Sequence, residues 1–264
     1  MVSVGAIAVT GGHGVLGRAV LAALAKRGVA AVCVARSGED ADRVADLAVP
    51  QDVERALDGV DAVVHTASSP RGEQSTETLY IRNVTDAVKR SGAHVVYVSI
   101  VNVDRIRFFP YYRAKHDAET LLAASGVAYT IQRAAQFHPF LDYIFRILAR
   151  PPIAVLPPWS VFQPVDVDAV AEHLAGLATG APLGMARDVV GPETRSGADL
   201  FALWSRAVQR HKPAIELPLP IAGFRAFANG RLVNEAAERI GPSFESWLGA
   251  NLGRENPYVV AQRR

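Results

Sequence analysis

The chain has 264 residues, 50% of them hydrophobic and 20% charged, a balance that suits a packed soluble core and excludes a disordered chain. With 28 basic and 26 acidic residues the formal net charge is +2, so no bulk positive field points to nucleic acid as a partner. The single cysteine, Cys33, excludes an intrachain disulfide framework, no His/Asp/Glu spacing suggests a metal site, and no run approaches the roughly 18 apolar residues of a membrane span. The start, Met1 to Gly5, lacks a charged leader region and reads as the lead-in to a first strand, which makes a cytoplasmic location the expectation.

Val4–Val9 is an apolar, β-branched run that stops at Thr10-Gly11-Gly12, the pattern of a buried strand entering a tight turn. Gly14–Arg27 follows helical spacing through Leu16, Val20, Ala23 and Leu24, and Ala30–Ala35 is a second buried strand. Val44–Val49 is a weaker third strand, Asp52–Leu57 a short helix behind Pro50, and Asp61–Thr66 a fourth strand. Thr76–Arg90 is a helix with Leu79, Val84 and Val88 on one face, His94–Val101 a fifth strand, Tyr111–Ala124 a helix and Val127–Gln132 a sixth strand. This alternation predicts an α/β fold, a Rossmann-type doubly wound parallel sheet with helices on both faces. After residue 135 the rhythm breaks at His138-Pro139, Pro151-Pro152 and Pro157-Pro158, and helices are expected at Phe140–Ala149, Ala169–Thr179 (with Asp166 and Asp168 as caps) and Ala198–Arg210. The whole chain, 1–264, therefore reads as one domain: residues 1–135 form a dinucleotide-binding core, and 136–264 complete it and add a small C-terminal substrate lobe.

The strongest motif is Thr10-Gly11-Gly12-His13-Gly14-Val15-Leu16-Gly17. It satisfies G-x-G-x-x-G through Gly12, Gly14 and Gly17, and T-G-x-x-G-x-x-G through Gly11, Gly14 and Gly17. Glycine at these spacings allows a sharp turn, close approach of backbone to a pyrophosphate, and tight packing of helix on strand. The helix N-terminus then presents N–H groups and a positive dipole end to the phosphates, with His13 filling a loop position nearby. At the end of the second strand, where an acid would hold the ribose hydroxyl of NAD, stand Arg36 and Ser37. An arginine there suits the 2′-phosphate of NADP(H), favoured over NAD(H), although Asp40 and Asp42 lie close in sequence.

A second constellation is Ser99, near the end of strand five, with Tyr111-Tyr112-Arg113-Ala114-Lys115 at the start of the next helix. Tyr111 and Lys115 are one helical turn apart on one face, while Tyr112, the alternative tyrosine, is about 100° around the helix. A tyrosine beside a lysine can give or take a carbonyl proton during hydride transfer, with Ser99 or Asn102 holding the carbonyl. Ser99, Tyr111 and Lys115 are the candidate catalytic residues.

Together with V-Y-V-S-I-V-N-V-D-R, Y-Y-R-A-K-H-D-A-E-T-L-L and T-I-Q-R-A-A-Q-F-H, these residues resemble the short-chain dehydrogenase/reductase superfamily, and more closely its atypical, NmrA-like NAD(P)H-binding branch. The resemblance is strongest through residue 140. It implies a nicotinamide dinucleotide across the strand C-termini, with Lys115 at the nicotinamide ribose and Thr66, Ala67 and Ser68 beside the adenine ribose and pyrophosphate. Ala134-Ala135 replaces the Pro-Gly of many relatives, which puts Ala135 at the cofactor. It also implies a monomer or homodimer.

Phe108, Phe109, Phe137, Phe140, Tyr143, Phe145, Trp159 and Phe162 suit either a pocket for a flat, hydrophobic substrate or the core of the small lobe. His138 reads as a structural histidine or an additional acid/base, and Cys33 as inert packing. The reading is an NADPH-dependent oxidoreductase of a carbonyl or quinone small molecule, a ketoreductase-like activity with neither nucleic acid nor membrane as partner. The alternatives are a non-catalytic NADP-binding sensor of the NmrA-like type and an epimerase or dehydratase that retains its cofactor.

Overall fold

The structure, a computed structural model, describes residues 5–38, 40–68, 74–220, 225 and 227–261. Val4, counted in the expected first strand, lies outside the described residues. The elements run β1 (Ile7–Thr10), α1 (Val15–Lys26), β2 (Ala31–Ala35), β3 (Arg43–Val44), α2 (Pro50–Ala56), β4 (Ala62–His65), α3 (Gln74–Val88), β5 (His94–Ile100), a 3-10 turn (Val103–Ile106), α4 (Pro110–Ala124) and β6 (Tyr129–Ala134). There follow α5 (His138–Leu148), β7 (Ala154–Leu156), β8 (Val161–Phe162), α6 (Val167–Ala178), β9 (Gly184–Met185), β10 (Val189–Val190) and β11 (Arg195–Ser196). The last are α7 (Gly197–Ala207), β12 (Ala214–Glu216), β13 (Glu238–Arg239), α8 (Phe244–Asn251) and α9 (Pro257–Ala261). The chain folds as two compact units, Met1–Arg133 with Ala171–Arg187, and Ala134–Val170 with Asp188–Arg264.

The first unit is the doubly wound sheet, in the order β3-β2-β1-β4-β5-β6 with β9 alongside β6. The pairs from β3 through β5 are parallel, in register Val9↔Cys33, Thr10↔His65 and His65↔Tyr97. Because alternate residues face opposite sides, Ala8, Val63, Val95 and Ile131 meet Val53, Ile81, Val84, Val88, Ala118 and Leu122 of α2, α3 and α4 in one buried cluster. α1 carries its own buried stripe, Leu16, Val20, Ala23 and Leu24. Glu172 of α6 joins it to Arg27 at 3.4 Å and Lys26 at 3.8 Å, exposed pairs of small energetic weight.

The third strand is two residues long rather than Val44–Val49. Asp46 turns the chain instead, its Oδ1 accepting from the Ala48 N–H at 2.9 Å just before Pro50 opens α2. The sixth strand runs two residues past Gln132 and starts at Tyr129 rather than Val127. Other helix ends agree with the spacing to within three residues.

The second unit holds short strands that the sequence does not announce, since two or three residues are too few to show a period of two. β10 pairs in parallel with β13 and with Ala134, β7 with β12, and β8 pairs antiparallel with β11. Its core is aromatic: Phe145 meets Phe201 edge-on at 5.5 Å, and Phe201 meets Trp204 at 5.5 Å. Phe145 and Phe162 are thus core side chains and not pocket lining, whereas Trp159 is 70% exposed. Asp142, 4% exposed, ties this core together. It accepts from Trp204 Nε1 at 2.6 Å, Asn256 Nδ2 at 2.5 Å and Arg146 Nε at 2.9 Å. Asp142→Ala strands the buried Trp204 and Asn256 donors and is expected to cost about 3 kcal/mol. Urea unfolding checks this, and Asp142→Asn, which keeps one acceptor, is expected to lose less.

Candidate functional site

The C-terminal ends of β1, β4 and β5 lie side by side in the first unit and carry the candidate residues. After Thr10 the chain turns at Gly11, whose φ of +72° and approach to the Ala67 backbone leave no space for a Cβ, which would lie 2.7 Å from Ala67 Cα. A Cβ on Gly12 would meet Cys33 Sγ at 2.5 Å, and one on Gly17 would collide with the Gly11 carbonyl. The turn closes with Gly14 N–H on Gly11 O at 2.8 Å, and α1 starts with neither a side-chain cap nor an acid in its first turn. Val15 and Leu16 open that helix. The result is an uncapped helix N-terminus behind a glycine-rich loop, a donor set that fits a pyrophosphate.

His13 lies against the loop after β2, where a Cβ on Gly38 would fall 2.7 Å from its Cε1, and its carbonyl accepts from Arg18 Nε at 3.0 Å. Arg36 and Ser37 are exposed directly after β2. Asp42 is committed to the backbone, accepting from the Cys33 N–H at 2.7 Å. Burial, and then Asp42, push the Cys33 thiol up, so it stays protonated. Thr66 donates from Oγ1 to Thr10 O at 2.8 Å, and with Ala67 it forms the floor of the glycine turn. Ala135 lies in the second unit with its N–H on Val189 O at 3.0 Å.

Tyr111 stands in the first turn of α4, partly exposed, with its hydroxyl 3.2 Å from Ser68 Oγ. Tyr112 is buried against Phe109 at 5.7 Å, so Tyr111 is the tyrosine of this cluster. Ser99 is buried, and its Oγ has no hydrogen-bond partner among the described residues. Asn102, the alternative, occupies left-handed backbone at φ 55° at the start of the 3-10 turn. Lys115 is 5% exposed and turned inward: its Nζ lies 3.4 Å from Glu77 Oε2, 3.3 Å from Val98 O and 4.9 Å from the centroid of the Tyr97 ring. Burial opposes its charge, but Tyr97, Glu77 and Tyr111 outweigh burial and hold its pKa above the usual lysine range.

His65, Tyr97 and Glu77 lie outside the motifs. Thr10, His65 and Tyr97 form a row across β1, β4 and β5, with His65 Nδ1 2.8 Å from Thr10 Oγ1 and its ring stacked on Tyr97 at 5.8 Å. Glu77 accepts from Ser68 Oγ at 2.5 Å and pairs with Lys115. Its signal is legible in hindsight, because it occupies the apolar stripe of α3 with Ile81, Val84 and Val88. In the second unit His138 is fully buried, donates from Nε2 to Pro242 O at 3.1 Å and packs on Phe244 and Trp247, a structural role. Among the described residues no cluster of His, Cys, Asp or Glu is arranged to hold a metal, and no helix is long and apolar enough to cross a membrane.

Residues 11–139 match the model of the NAD(P)H-binding family. A photosystem II assembly factor, Ycf39 of Trieres chinensis, is 27% identical over 163 residues, which cover 56% of this chain and 51% of that protein, so the chain spans about half the length of this curated relative. Three solved structures share the fold. A nucleoside-diphosphate-sugar epimerase from Staphylococcus aureus has a TM-score of 0.78 and 19% identity, over 92% of this chain and 99% of that one. An NADPH-dependent quinone oxidoreductase from Escherichia coli, complexed with NADPH, has a TM-score of 0.77 and 18% identity over the same shares. A triphenylmethane reductase from Citrobacter sp., complexed with NADP(H), has a TM-score of 0.75 and 18% identity over 93% and 99%.

Burial, joined at His65 by the Lys115 charge, lowers the pKa of His65 and of His138 to about 4. The fold therefore favours the neutral rings. Their contribution is complete above the unfolded value near 6.5 and is lost as pH falls toward 4, up to about 3 kcal/mol for each ring. Urea midpoints measured between pH 7 and pH 4.5 are expected to fall accordingly, and less steeply in His65→Asn.

Proposed function

We propose that the chain, whose residues 11–139 match the model of the NAD(P)H-binding family, is an NADPH-dependent oxidoreductase that reduces a carbonyl or quinone group of a hydrophobic small molecule. The observation that carries this reading is the joint placement of Tyr111, Ser68, Glu77, Lys115 and an unpartnered Ser99 hydroxyl at the strand ends that also bear the glycine turn. The quinone oxidoreductase and triphenylmethane reductase of the same fold support it by analogy.

When bound, the dihydronicotinamide supplies the hydride. The glycine turn and α1 would hold the pyrophosphate, and exposed Arg36 would meet the 2′-phosphate of the adenine ribose. Ser99 Oγ donates to the substrate oxygen, and Tyr111 gives that oxygen its proton. Lys115, held by Glu77, the Val98 carbonyl and the Tyr97 ring, supplies positive charge that counters negative charge at the phenol.

Fluorescence titration tests the cofactor assignment. Arg36→Ala is expected to weaken NADPH binding at least about tenfold and to leave NADH nearly unchanged; equal effects on both would remove the arginine from the phosphate. Tyr111→Phe is expected to lower kcat for NADPH oxidation with menadione by about a hundredfold or more, with the Kd for NADPH preserved. Conversion of a sugar nucleotide without net NADPH consumption would instead support a cofactor-retaining epimerase, the activity named for one structure of this fold.

A further inference from the structure

The reading above leaves one buried group without a role. Glu77 is fully buried in the first turn of α3, where a carboxylate survives only if its oxygens are engaged. Oε1 accepts from Ser68 Oγ at 2.5 Å, and Oε2 lies 3.4 Å from Lys115 Nζ. Ser68 Oγ in turn lies 3.2 Å from the Tyr111 hydroxyl. One carboxylate on α3 thus holds both members of the Tyr111–Lys115 pair on α4, the lysine by charge and the tyrosine through a hydroxyl.

We propose that Glu77 is the positioning residue of this site, acting through Ser68 to fix the place and proton direction of the Tyr111 hydroxyl. The inference rests on the assignment of Tyr111 as proton donor. The direction follows from donor and acceptor capacities. The Lys115 ammonium has only hydrogens to give and keeps Glu77 ionised. An ionised carboxylate only accepts, so Ser68 commits its single hydrogen to Oε1. The Ser68 oxygen is then an acceptor, and the Tyr111 O–H points at it. In reduction the phenol O–H bond breaks and a new O–H bond forms on the substrate oxygen, the electron pair staying on the phenolate. Lys115 counters that charge, and partly exposed Tyr111 regains its proton from water. Ser68 and Glu77 exchange no proton; they fix where the phenol oxygen sits, and the O–H turns about its Cζ–O bond from Ser68 to the substrate oxygen for the transfer.

The test uses the full chain with ¹³Cζ-labelled tyrosine, the Tyr111 resonance assigned by its loss in Tyr111→Phe, together with steady-state NADPH oxidation on menadione. Ser68→Ala is expected to shift the Tyr111 resonance and to lower kcat about tenfold, while the KM for quinone and the Kd for NADPH change by less than about twofold. Ser68→Thr, which keeps the hydroxyl, is expected to restore both readouts. Glu77→Gln is expected to shift the same resonance; should that variant fail to fold with Lys115 left unpaired, Ser68→Ala still decides. An unmoved Tyr111 resonance in Ser68→Ala overturns the proposal, as does a loss confined to NADPH affinity, which would make Ser68 a cofactor contact. If the wild-type chain oxidises no NADPH with quinone, it is the reductase reading that fails, and the resonance alone decides whether Glu77 and Ser68 hold Tyr111.

Discussion

Two opposite charges meet where little water reaches, Glu77 on α3 and Lys115 on α4, and the polar interior of the first unit is arranged around them. Removing one partner of such a pair costs roughly 3–5 kcal/mol, because the survivor stays buried and uncompensated. The pair therefore ties α3 to α4 beside the apolar cluster that the two helices share. Lys115 lies over the Tyr97 ring, Tyr97 stacks on His65, and His65 bonds Thr10, the last residue before the glycine turn. A continuous set of contacts thus runs beneath the strand ends from the ion pair to the cofactor loop. The neutral state of His65 belongs to the same arrangement, since burial, and then the charge of Lys115, both oppose its protonation.

The parts of this site that were legible in the sequence are those with a fixed spacing. The glycines are legible because crowding leaves no space for a Cβ, against backbone at Gly11 and Gly17 and against the Cys33 sulfur at Gly12. Tyr111 and Lys115 are legible because a helical turn sets their separation. The β-α rhythm gave the sheet because long buried runs such as His94–Ile100 have no other reading. What escaped has no spacing of its own. The Thr10–His65–Tyr97 row exists only through strand register, which joins residues far apart in the chain. Ser68 reads as part of a cofactor loop, and its bond to Glu77 depends on how α3 enters. Glu77 itself was readable as an acid on an apolar stripe, the counterpart of Lys115 among Ala118 and Leu122 on α4. In the second unit the aromatics could not be divided between pocket and core without knowing that Asp142 draws Trp204 inward.

Proteins of this fold carry both reductase and epimerase names at below 20% identity, so the architecture alone does not fix the reaction and leaves it to a few side chains. In this chain the side chains proposed for that task are set by rigid elements. Tyr111 and Lys115 stand on one helix and Ser99 on a central strand, while Ser68 belongs to a loop held at one end by Thr66 and at the other by Glu77. Helix and strand supports allow less drift in donor position than loops do, which matters where proton transfer depends on fractions of an ångström.

The division of the chain has a consequence for modularity. Neither compact unit is a continuous segment: residues 171–187 return to the first unit after 134–170 have joined the second, and the chain crosses between the units three times. The returning stretch brings most of α6, with Glu172 facing Arg27 of α1, and edge strand β9 beside β6. A fragment ending at residue 133 would lack both. The second unit therefore cannot be exchanged as a terminal cassette. Recombination with a relative, natural or engineered, has to replace 134–170 and 188–264 as two coordinated inserts and keep the returning helix of the host.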